Sequence, residues 1–271
     1  MSKEKIELEN FAKEIRRMAV TLAYNTNTSH TGGALSMADI LAVLYSDVLN
    51  NSPANADSPI RDRLVLSKGH CCATLYAALA LRGFLDKEDL MKNYGIDGSR
   101  YFTHASHKLR GVELSTGSLG HGLPVSTGLA LGSKCSKRKF DVYCIVGDGE
   151  LDEGSNWEAI MFAAHHQLDN LCLIVDKNRI QALGDTKDVL SLDSLAEKFK
   201  AFHWNVIDVD GHNFDQLREG FSSFKIHEGA PTVMICHTVK GKGVSYMENQ
   251  LKWHYSAPNE ELYKVAMEDL K

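Results

Sequence analysis

From residue 140 to residue 240 the sequence alternates between short apolar runs and segments of helical spacing, and this alternation limits the fold more than any other feature. Four runs, "DVYCIVGDG", "NLCLIVDKN", "NVIDVDG" and "PTVMICHTV", have strand length. Helices are predicted between them, in "SNWEAIMFAAHHQL", near residues 191–202 and near residues 213–226. Strands that are apolar on both faces and alternate with helices predict an α/β fold, with a parallel sheet flanked by helices on both faces.

The sequence before residue 140 predicts further helices and one more strand. Residues 4–26 have helical spacing, as do residues 70–83 and "GLPVSTGLALGSK", and "RLVLSKGH" is predicted to be a short strand that ends in a turn. "SHTGGALS" is predicted to be a turn in which Ser36 caps the next helix. Ser155 and Glu158 are predicted to form a capping box at the start of a later helix.

The composition is that of an ordinary soluble protein and argues against several functions. The chain contains no repeat or long linker, so we expect a single domain over residues 1–271. A net charge of −5 and a pI of about 6.2 argue against binding to a nucleic-acid backbone. No apolar run reaches the roughly 20 residues of a membrane span. The six cysteines form no CxxC pair and no secretory leader is recognisable, so a cytoplasmic location is expected.

Two neighbouring predicted strands end in residues that can bind a metal ion. Asp148 lies between two glycines at the end of one strand, and Asn178 follows the next strand along the chain. Ligands of such sheets bind beyond the carboxyl ends of the strands, so we expect the Asp148 carboxylate, the Asn178 amide oxygen and the backbone carbonyl of Ile180 to meet there. Oxygen ligands suit Mg²⁺, or another divalent cation such as Ca²⁺ or Mn²⁺, and the ion can anchor a diphosphate.

The order and spacing of these residues resemble the thiamine diphosphate signature, in which Gly-Asp-Gly is followed by Asn at the distance that separates Asp148 from Asn178. "GDGELDEGSNWEA", "VDKNRIQ", "SKGH" and "GVELSTGSLGHGL" together resemble the N-terminal, diphosphate-binding domain of transketolase. The likeness is closest to the short transketolases that are divided into two subunits. It implies thiamine diphosphate and Mg²⁺ as cofactors, and transfer of a two-carbon ketol unit from a ketose, such as a sugar phosphate, to an aldose.

The resemblance assigns four histidines to the active site: His30, His70, His104 and His254. The first three match the family residue by residue, and the fourth lies in "KWHYSAP", which departs from the full-length pattern. In the family such histidines relay protons around the reactive carbon, which suits a side chain that titrates near neutral pH. His107 is expected to be structural, as are His165 and His166, which lie in a predicted amphipathic helix. His104 and His107 have no Cys or carboxylate partner at zinc spacing.

Further cofactor contacts are implied by the resemblance. We expect Gly117 and Leu119 in "STGSLGHG" to contact thiamine diphosphate, together with His70, Gly149 and Asn178. A helix that begins after this glycine-rich segment offers free N–H groups to phosphate oxygens.

One acidic residue after Asp148 is given a role by the resemblance. Glu153 matches a family glutamate near the subunit interface, which supports a second glutamate on the aminopyrimidine ring. Glu150 and Asp152 have no such match and are expected to be solvated.

The pyrimidine-binding and C-terminal domains of a full-length transketolase are not found in this sequence. The resemblance therefore implies a separate C-terminal partner, an α2β2 assembly, and no activity by this chain alone. Other thiamine diphosphate enzymes remain as alternatives, namely 1-deoxyxylulose-phosphate synthase and the two-subunit 2-oxo acid dehydrogenases. A non-catalytic cofactor-binding remnant is a further alternative, and a nicotinamide dehydrogenase a remote one. The sequence does not identify the sugar.

Overall fold

The computed structural model describes residues 3–271, and its centre is a five-stranded sheet in the order β1–β2–β3–β7–β6. The strands are β1 (Arg63–Leu66), β2 (Val142–Gly147), β3 (Leu171–Lys177), β6 (Asn205–Asp210) and β7 (Thr232–His237). All neighbouring strands of this sheet are parallel. A small antiparallel pair, β4 (Ile180–Gln181) and β5 (Gly184–Asp185), follows β3.

The helices account for most of the remaining chain. In order they are α1 (Lys3–Thr26), α2 (Thr31–Ser36), α3 (Ala38–Val43), α4 (Cys72–Leu81), α5 (Lys87–Asn93), α6 (Gly122–Cys135), α7 (Gly154–His165), α8 (Thr186–Val189), α9 (Leu195–Ala201), α10 (Phe214–Ile226) and α11 (Glu260–Asp269). Short 3₁₀ turns cover Gly69–Cys71, Gly149–Asp152 and Leu251–His254, and a π-helical turn covers Leu44–Val48. No helix within residues 3–271 combines the length and apolar character needed to cross a membrane.

Helices cover both faces of the sheet, as the sequence predicts. Tyr143 and Ile145 of β2 are buried in a core with side chains from α1, α3, α4 and α10. The alternate residues Cys144 and Val146 are buried in a second core with side chains from α6, α7 and α9. Strand β2 contributes to both cores because side chains along a strand point alternately to the two faces. The predicted α/β fold with a parallel sheet is confirmed.

Both predicted serine caps are wrong, because each hydroxyl binds a distant residue. Ser36 is the last residue of α2, which already begins at Thr31, and its hydroxyl donates to the buried Asp176 carboxylate at 2.6 Å. Ser155 lies inside α7, whose N-cap residue is Glu153, and it donates to the carbonyl of Gly120 at 2.6 Å. These tertiary hydrogen bonds replace the local ones that the capping patterns favour.

Candidate active site

The carboxyl ends of β1, β2 and β3 open into a cavity of about 250 Å³. The predicted site residues that line it are His30, His70, His104, Gly117, Leu119, Asp148, Gly149, Asn178, Ile180 and His254. A wider cleft of about 930 Å³ adjoins the cavity and shares Asn178 and Ile180 with it, but contains none of the four predicted histidines. The smaller cavity is therefore the one in which the predicted metal ligands and histidines meet.

The three predicted metal ligands come together where β2 and β3 end. Asp148 accepts hydrogen bonds from the N–H groups of Arg179 at 2.6 Å and Gly149 at 3.0 Å. Asn178 Oδ1 accepts from the N–H of Ile180 at 3.2 Å. Arg179, between two of the ligands, has a φ of 68°, so the chain turns sharply at this point. One carboxylate, one amide oxygen and one carbonyl form an oxygen-rich donor set of the kind that Mg²⁺ prefers.

Asp148 carries a buried charge for which a cation is the natural partner. Its side chain is buried, and burial together with the nearby Asp176 raises its pKa to about 6. Among the described residues it forms no ion pair within 4 Å. A buried carboxylate without a paired cation is costly, and a bound divalent ion would offset that cost. The residues present therefore fit the metal that the family implies.

A buried ion pair stands behind the metal ligands. Lys68, which follows β1, contacts the carboxylate of Asp176 and donates to the carbonyl of Gly33 at 3.0 Å. Burial alone would raise the pKa of Asp176, but the charge of Lys68 and hydrogen bonds from Lys68, Ser36 and Thr238 hold it below its usual value. This network joins β1, β3, α2 and the segment after β7 beneath the cavity.

Lys240 presents a second buried cation inside the cavity. Its ammonium donates to the carbonyl of Ile180 at 2.9 Å and to Nδ1 of His254 at 3.1 Å. Burial and the charge of Lys68 lower its pKa to about 8. It forms no ion pair with a carboxylate among residues 3–271, so it is available to an anion. Sequence reasoning missed both lysines, although a lysine in each of the strand-end segments "VLSKGH" and "HTVKGKG" was a usable signal.

The four predicted histidines form one cluster. His30 lies at its centre, with ring centroids 5.1 Å from His70, 5.9 Å from His104 and 5.2 Å from His254. His30 also occupies the left-handed region at the start of α2, with a φ of 72°, and its ring nitrogen Nδ1 lies 3.0 Å from the hydroxyl of Ser29. Such backbone strain is typical of functional sites.

The surroundings of this cluster lower the pKa of every histidine in it. Burial, His104 and Lys240 lower the pKa of His30 to about 4, and burial, Lys240 and His30 lower that of His254 to about 3. The pKa of His70 is held well below its ordinary value by burial and Lys68, and burial lowers that of His104. Desolvation favours the neutral imidazole at all four positions, and the lysine cations add to this effect at His30, His70 and His254.

Two glycines allow close approach of the chain around the cavity. A side chain at Gly149 would collide with Cβ of Gln181 at 2.6 Å. One at Gly117 would lie 3.1 Å from the ring of His104. A Cβ at Gly149 would displace Gln181, and one at Gly117 would crowd the ring of His104. Both glycines therefore allow the backbone to approach these lining residues closely.

Glu150 is not solvated, contrary to the sequence-based expectation. It is 2% exposed, contacts the hydroxyl of Ser67, and accepts from the N–H of Gly120 at 3.0 Å. It therefore holds the glycine-rich segment before α6 against the end of β2. Asp152 is half-buried and accepts a hydrogen bond from Gln181 at 3.1 Å.

Glu153 lies outside the cavity. Its side chain is exposed at the start of α7, where it makes no capping hydrogen bond and packs beside Gly120. His107 is also exposed and its Nδ1 lies 2.7 Å from the hydroxyl of Ser115. Within the described part of the chain, no three His, Cys, Asp or Glu side chains are grouped to hold a metal.

Comparison with known proteins identifies the same family. Residues 8–269 match the family model described as "Transketolase, thiamine diphosphate binding domain". The chain is 43% identical over 267 residues to an apulose-4-phosphate transketolase subunit from Actinobacillus succinogenes, covering 98% of this chain and 96% of that protein. It is 38% identical over 272 residues to "6-deoxy-6-sulfo-D-fructose transketolase subunit SqwG" of Clostridium sp., covering 100% of this chain and 98% of that protein.

A solved structure gives the same result at the level of the fold. The transketolase of Campylobacter jejuni superposes with a TM-score of 0.92 at 32% identity, covering 100% of this chain and 43% of the longer protein. The chain thus corresponds to one part of a full-length transketolase and to nearly the whole of the short relatives that are named as subunits. Because the family model matches nearly its whole length, the chain belongs to the transketolase family, as its thiamine diphosphate-binding domain.

Proposed function

We propose that this chain is the N-terminal subunit of a thiamine diphosphate-dependent transketolase, a glycolaldehydetransferase that is active only with a separate C-terminal subunit. The enzyme moves a two-carbon ketol unit from a ketose donor to an aldose acceptor. The observation that carries the proposal is the meeting of Asp148, Asn178 and the Ile180 carbonyl in the cavity that also contains the histidine cluster. A metal-anchored diphosphate at one side would face proton-transferring groups at the other.

Asp148, Asn178 and the carbonyl of Ile180 would hold Mg²⁺, and the ammonium of Lys240 would meet the diphosphate. When bound, thiamine diphosphate supplies the nucleophilic carbon and the electron sink for cleaving a bond next to a carbonyl. Gly117, Leu119 and Gly149 would contact the cofactor, since all three line the same cavity. The two glycines support this role because a Cβ at either position would crowd a residue that lines the cavity, Gln181 or His104.

The histidines would bind the sugar hydroxyls and transfer their protons. A neutral imidazole has one donor and one acceptor nitrogen, so it can accept a hydroxyl proton and return it. The ammonium of Lys240 can only donate, so Nδ1 of His254 accepts and its hydrogen lies on Nε2. His254 therefore presents a donor on its other nitrogen, and the ring of His30 is oriented through Nδ1 by Ser29.

The proposal includes the partner and the assembly. The partner would be a C-terminal subunit with pyrimidine-binding and C-terminal domains, joined to this chain as α2β2, while residues 1–271 form a single domain. Support comes from relatives of about the same length that are named as transketolase subunits. A cytoplasmic location is part of the proposal, and the six free thiols support it.

Reconstitution tests the proposed function. The chain is mixed with thiamine diphosphate, Mg²⁺, a ketose phosphate and an aldose phosphate, with and without the co-expressed C-terminal subunit. We expect ketol transfer only from the complete mixture. Turnover by this chain alone would refute the two-subunit proposal. Product formation from pyruvate, rather than from a ketose, would instead indicate a 1-deoxyxylulose-phosphate synthase.

A further inference from the structure

Tyr255, directly after His254, lies at the mouth of the cavity. It lines the same space as the four histidines, yet its side chain is 62% exposed. The other residues that line this cavity are buried or half-buried. A residue that both lines a cavity and faces solvent lies where a ligand must enter or protrude.

The aromatic ring of Tyr255 stands against the histidine cluster. Its centroid is 4.7 Å from that of His254, at an interplanar angle of 63°, and 6.4 Å from that of His30. In edge contacts of this kind the phenol ring of Tyr255 lies beside the imidazole rings, and one face of the phenol ring does not contact them. Carbons of a sugar bound at the histidines would therefore pass directly alongside the tyrosine ring.

The backbone of Tyr255 is fixed although its side chain is exposed. Its N–H donates to the carbonyl of Lys252 at 3.2 Å, and the preceding carbonyl, that of His254, accepts from the N–H of His30 at 3.0 Å. The phenol hydroxyl forms no hydrogen bond with any described residue. The ring is thus held by an ordered segment, while its hydroxyl is available to a ligand.

Resting on the proposed function, we infer that Tyr255 is a specificity-determining residue for the sugar. Its ring packs against the carbon chain beyond the ketol unit, and its hydroxyl binds a sugar hydroxyl. Rigid aromatic side chains of this kind supply much of the packing surface in small-molecule sites. Donors whose chains end soon after the ketol unit cannot use this contact, whereas longer ketoses can.

A donor-length comparison on the reconstituted complex tests this inference. D-Fructose 6-phosphate is the long donor and L-erythrulose the short one, each assayed with wild type, Tyr255→Phe and Tyr255→Ala. Tyr255→Ala should lower kcat/KM for the long donor about tenfold more than for the short one, mainly through KM. Tyr255→Phe should retain most of this discrimination, because it keeps the ring and loses only the hydroxyl.

Two further measurements separate this role from a structural or cofactor role. Thiamine diphosphate affinity, measured by calorimetry, should be the same in wild type and Tyr255→Ala. Ile226→Ala serves as the matched control, since Ile226 is 82% exposed at the end of α10 and absent from the cavity lining. It should change neither kcat/KM nor the ratio between the donors.

The outcomes distinguish the inference from the proposed function. An equal loss on both donors, no loss on either, or weakened cofactor binding would overturn the role of Tyr255 while leaving ketol transfer intact. A wild-type complex that transfers no ketol unit from either donor would overturn the proposed function, and the inference with it.

Discussion

At the scale of single residues, the burial of Asp148 in the site lowers the stability of the metal-free chain at neutral pH. Burial and Asp176 raise its pKa from 3.8 to about 6 in the folded chain. A carboxyl whose folded pKa is raised favours the folded state only when it is protonated, so that contribution is present below about pH 4 and lost as the pH rises through about 6. The metal-free protein therefore carries an unfavourable charge at neutral pH.

Replacing Asp148 with Asn should stabilise the metal-free chain and abolish metal-dependent cofactor binding. At pH 7 we expect the free energy of unfolding to rise by about 1–2 kcal/mol, after allowing for one weakened hydrogen bond. The difference from wild type should shrink towards zero near pH 4, where both side chains are neutral. Denaturant unfolding at both pH values, and calorimetry with Mg²⁺ and thiamine diphosphate, measure the two effects.

Asp185→Asn is the matched control for this variant, because it removes an exposed carboxylate near the same edge of the sheet. It should change neither the stability nor the metal affinity appreciably. A metal-free Asp148→Asn chain that is less stable at pH 7, or one that binds Mg²⁺ and cofactor normally, contradicts the interpretation.

Lys240 provides a second prediction at the residue scale. With a pKa of about 8, half of its side chains are uncharged at pH 8, and an arriving diphosphate favours the charged form. Cofactor binding at pH 8 should therefore take up protons. Calorimetry detects this uptake because the binding enthalpy then changes with the ionisation enthalpy of the buffer. Lys240→Arg, always charged, should bind with less uptake, and Lys242→Gln should behave as wild type. Identical uptake in Lys240→Arg would rule out this residue as the source.

At the scale of secondary-structure elements, the site depends on a buried connection between strand ends. Lys68 and Asp176 are 2% and 0% exposed, and Ser36 of α2 and Thr238 after β7 complete the bonding of the carboxylate. A buried pair of this kind is weak evidence for net stability, but the loss of one partner leaves an uncompensated charge. Its role here is to fix the positions of the elements that carry Asn178 and His70.

A double-variant comparison tests this connection. Lys68→Met should lower the free energy of unfolding by about 3–5 kcal/mol, because Asp176 is then buried without a cation. The double variant Lys68→Met/Asp176→Leu should recover much of that loss. Lys134→Met, which breaks a half-exposed pair with Asp169, is the control and should cost less than about 1 kcal/mol. A double variant that is no more stable than Lys68→Met would show that the unpaired Asp176 charge does not cause the loss of stability.

The elements also show what the sequence could and could not predict. The central strands were predictable because runs such as "CLIVD" are apolar on both faces, and a parallel sheet needs that pattern. The roles of Ser36 and Ser155 were not, since their hydroxyls bond to residues distant in sequence instead of capping a helix. The burial of Lys68 and Glu150 was not predictable for the same reason, because a buried charge depends on a partner that only the folded chain brings near. Asp148 and Asn178 were found because their positions follow from strand ends alone.

At the scale of the whole molecule, the chain corresponds to only part of a full-length transketolase. The chain covers 43% of the Campylobacter jejuni enzyme, and Glu153 remains exposed beside the glycine-rich segment. The resemblance to transketolase implies, and we propose, that this glutamate lies near the subunit interface and supports a second glutamate there. Its carboxylate is exposed and makes no capping hydrogen bond at the start of α7, so we expect the effect of its charge to appear mainly in the assembly.

Glu153→Gln should leave the isolated chain as stable as wild type but lower ketol transfer by the reconstituted complex about a hundredfold, the range of a lost acid–base contribution. Thermal unfolding of the chain and steady-state rates of the complex check the two halves of this prediction. Glu219→Gln, an exposed glutamate on α10, is the control. Equal activity of the complexes with Glu153→Gln and with wild type would show that Glu153 does not contribute to ketol transfer.

The most direct test of the central claim is a crystal structure of the chain with its C-terminal partner, thiamine diphosphate and Mn²⁺, in which anomalous scattering locates the ion. We expect one Mn²⁺ peak bonded to Asp148, Asn178 and the carbonyl oxygen of Ile180, with the diphosphate as a further ligand. Cofactor bound with its metal elsewhere, or bound with no metal at these three oxygens, would contradict the account.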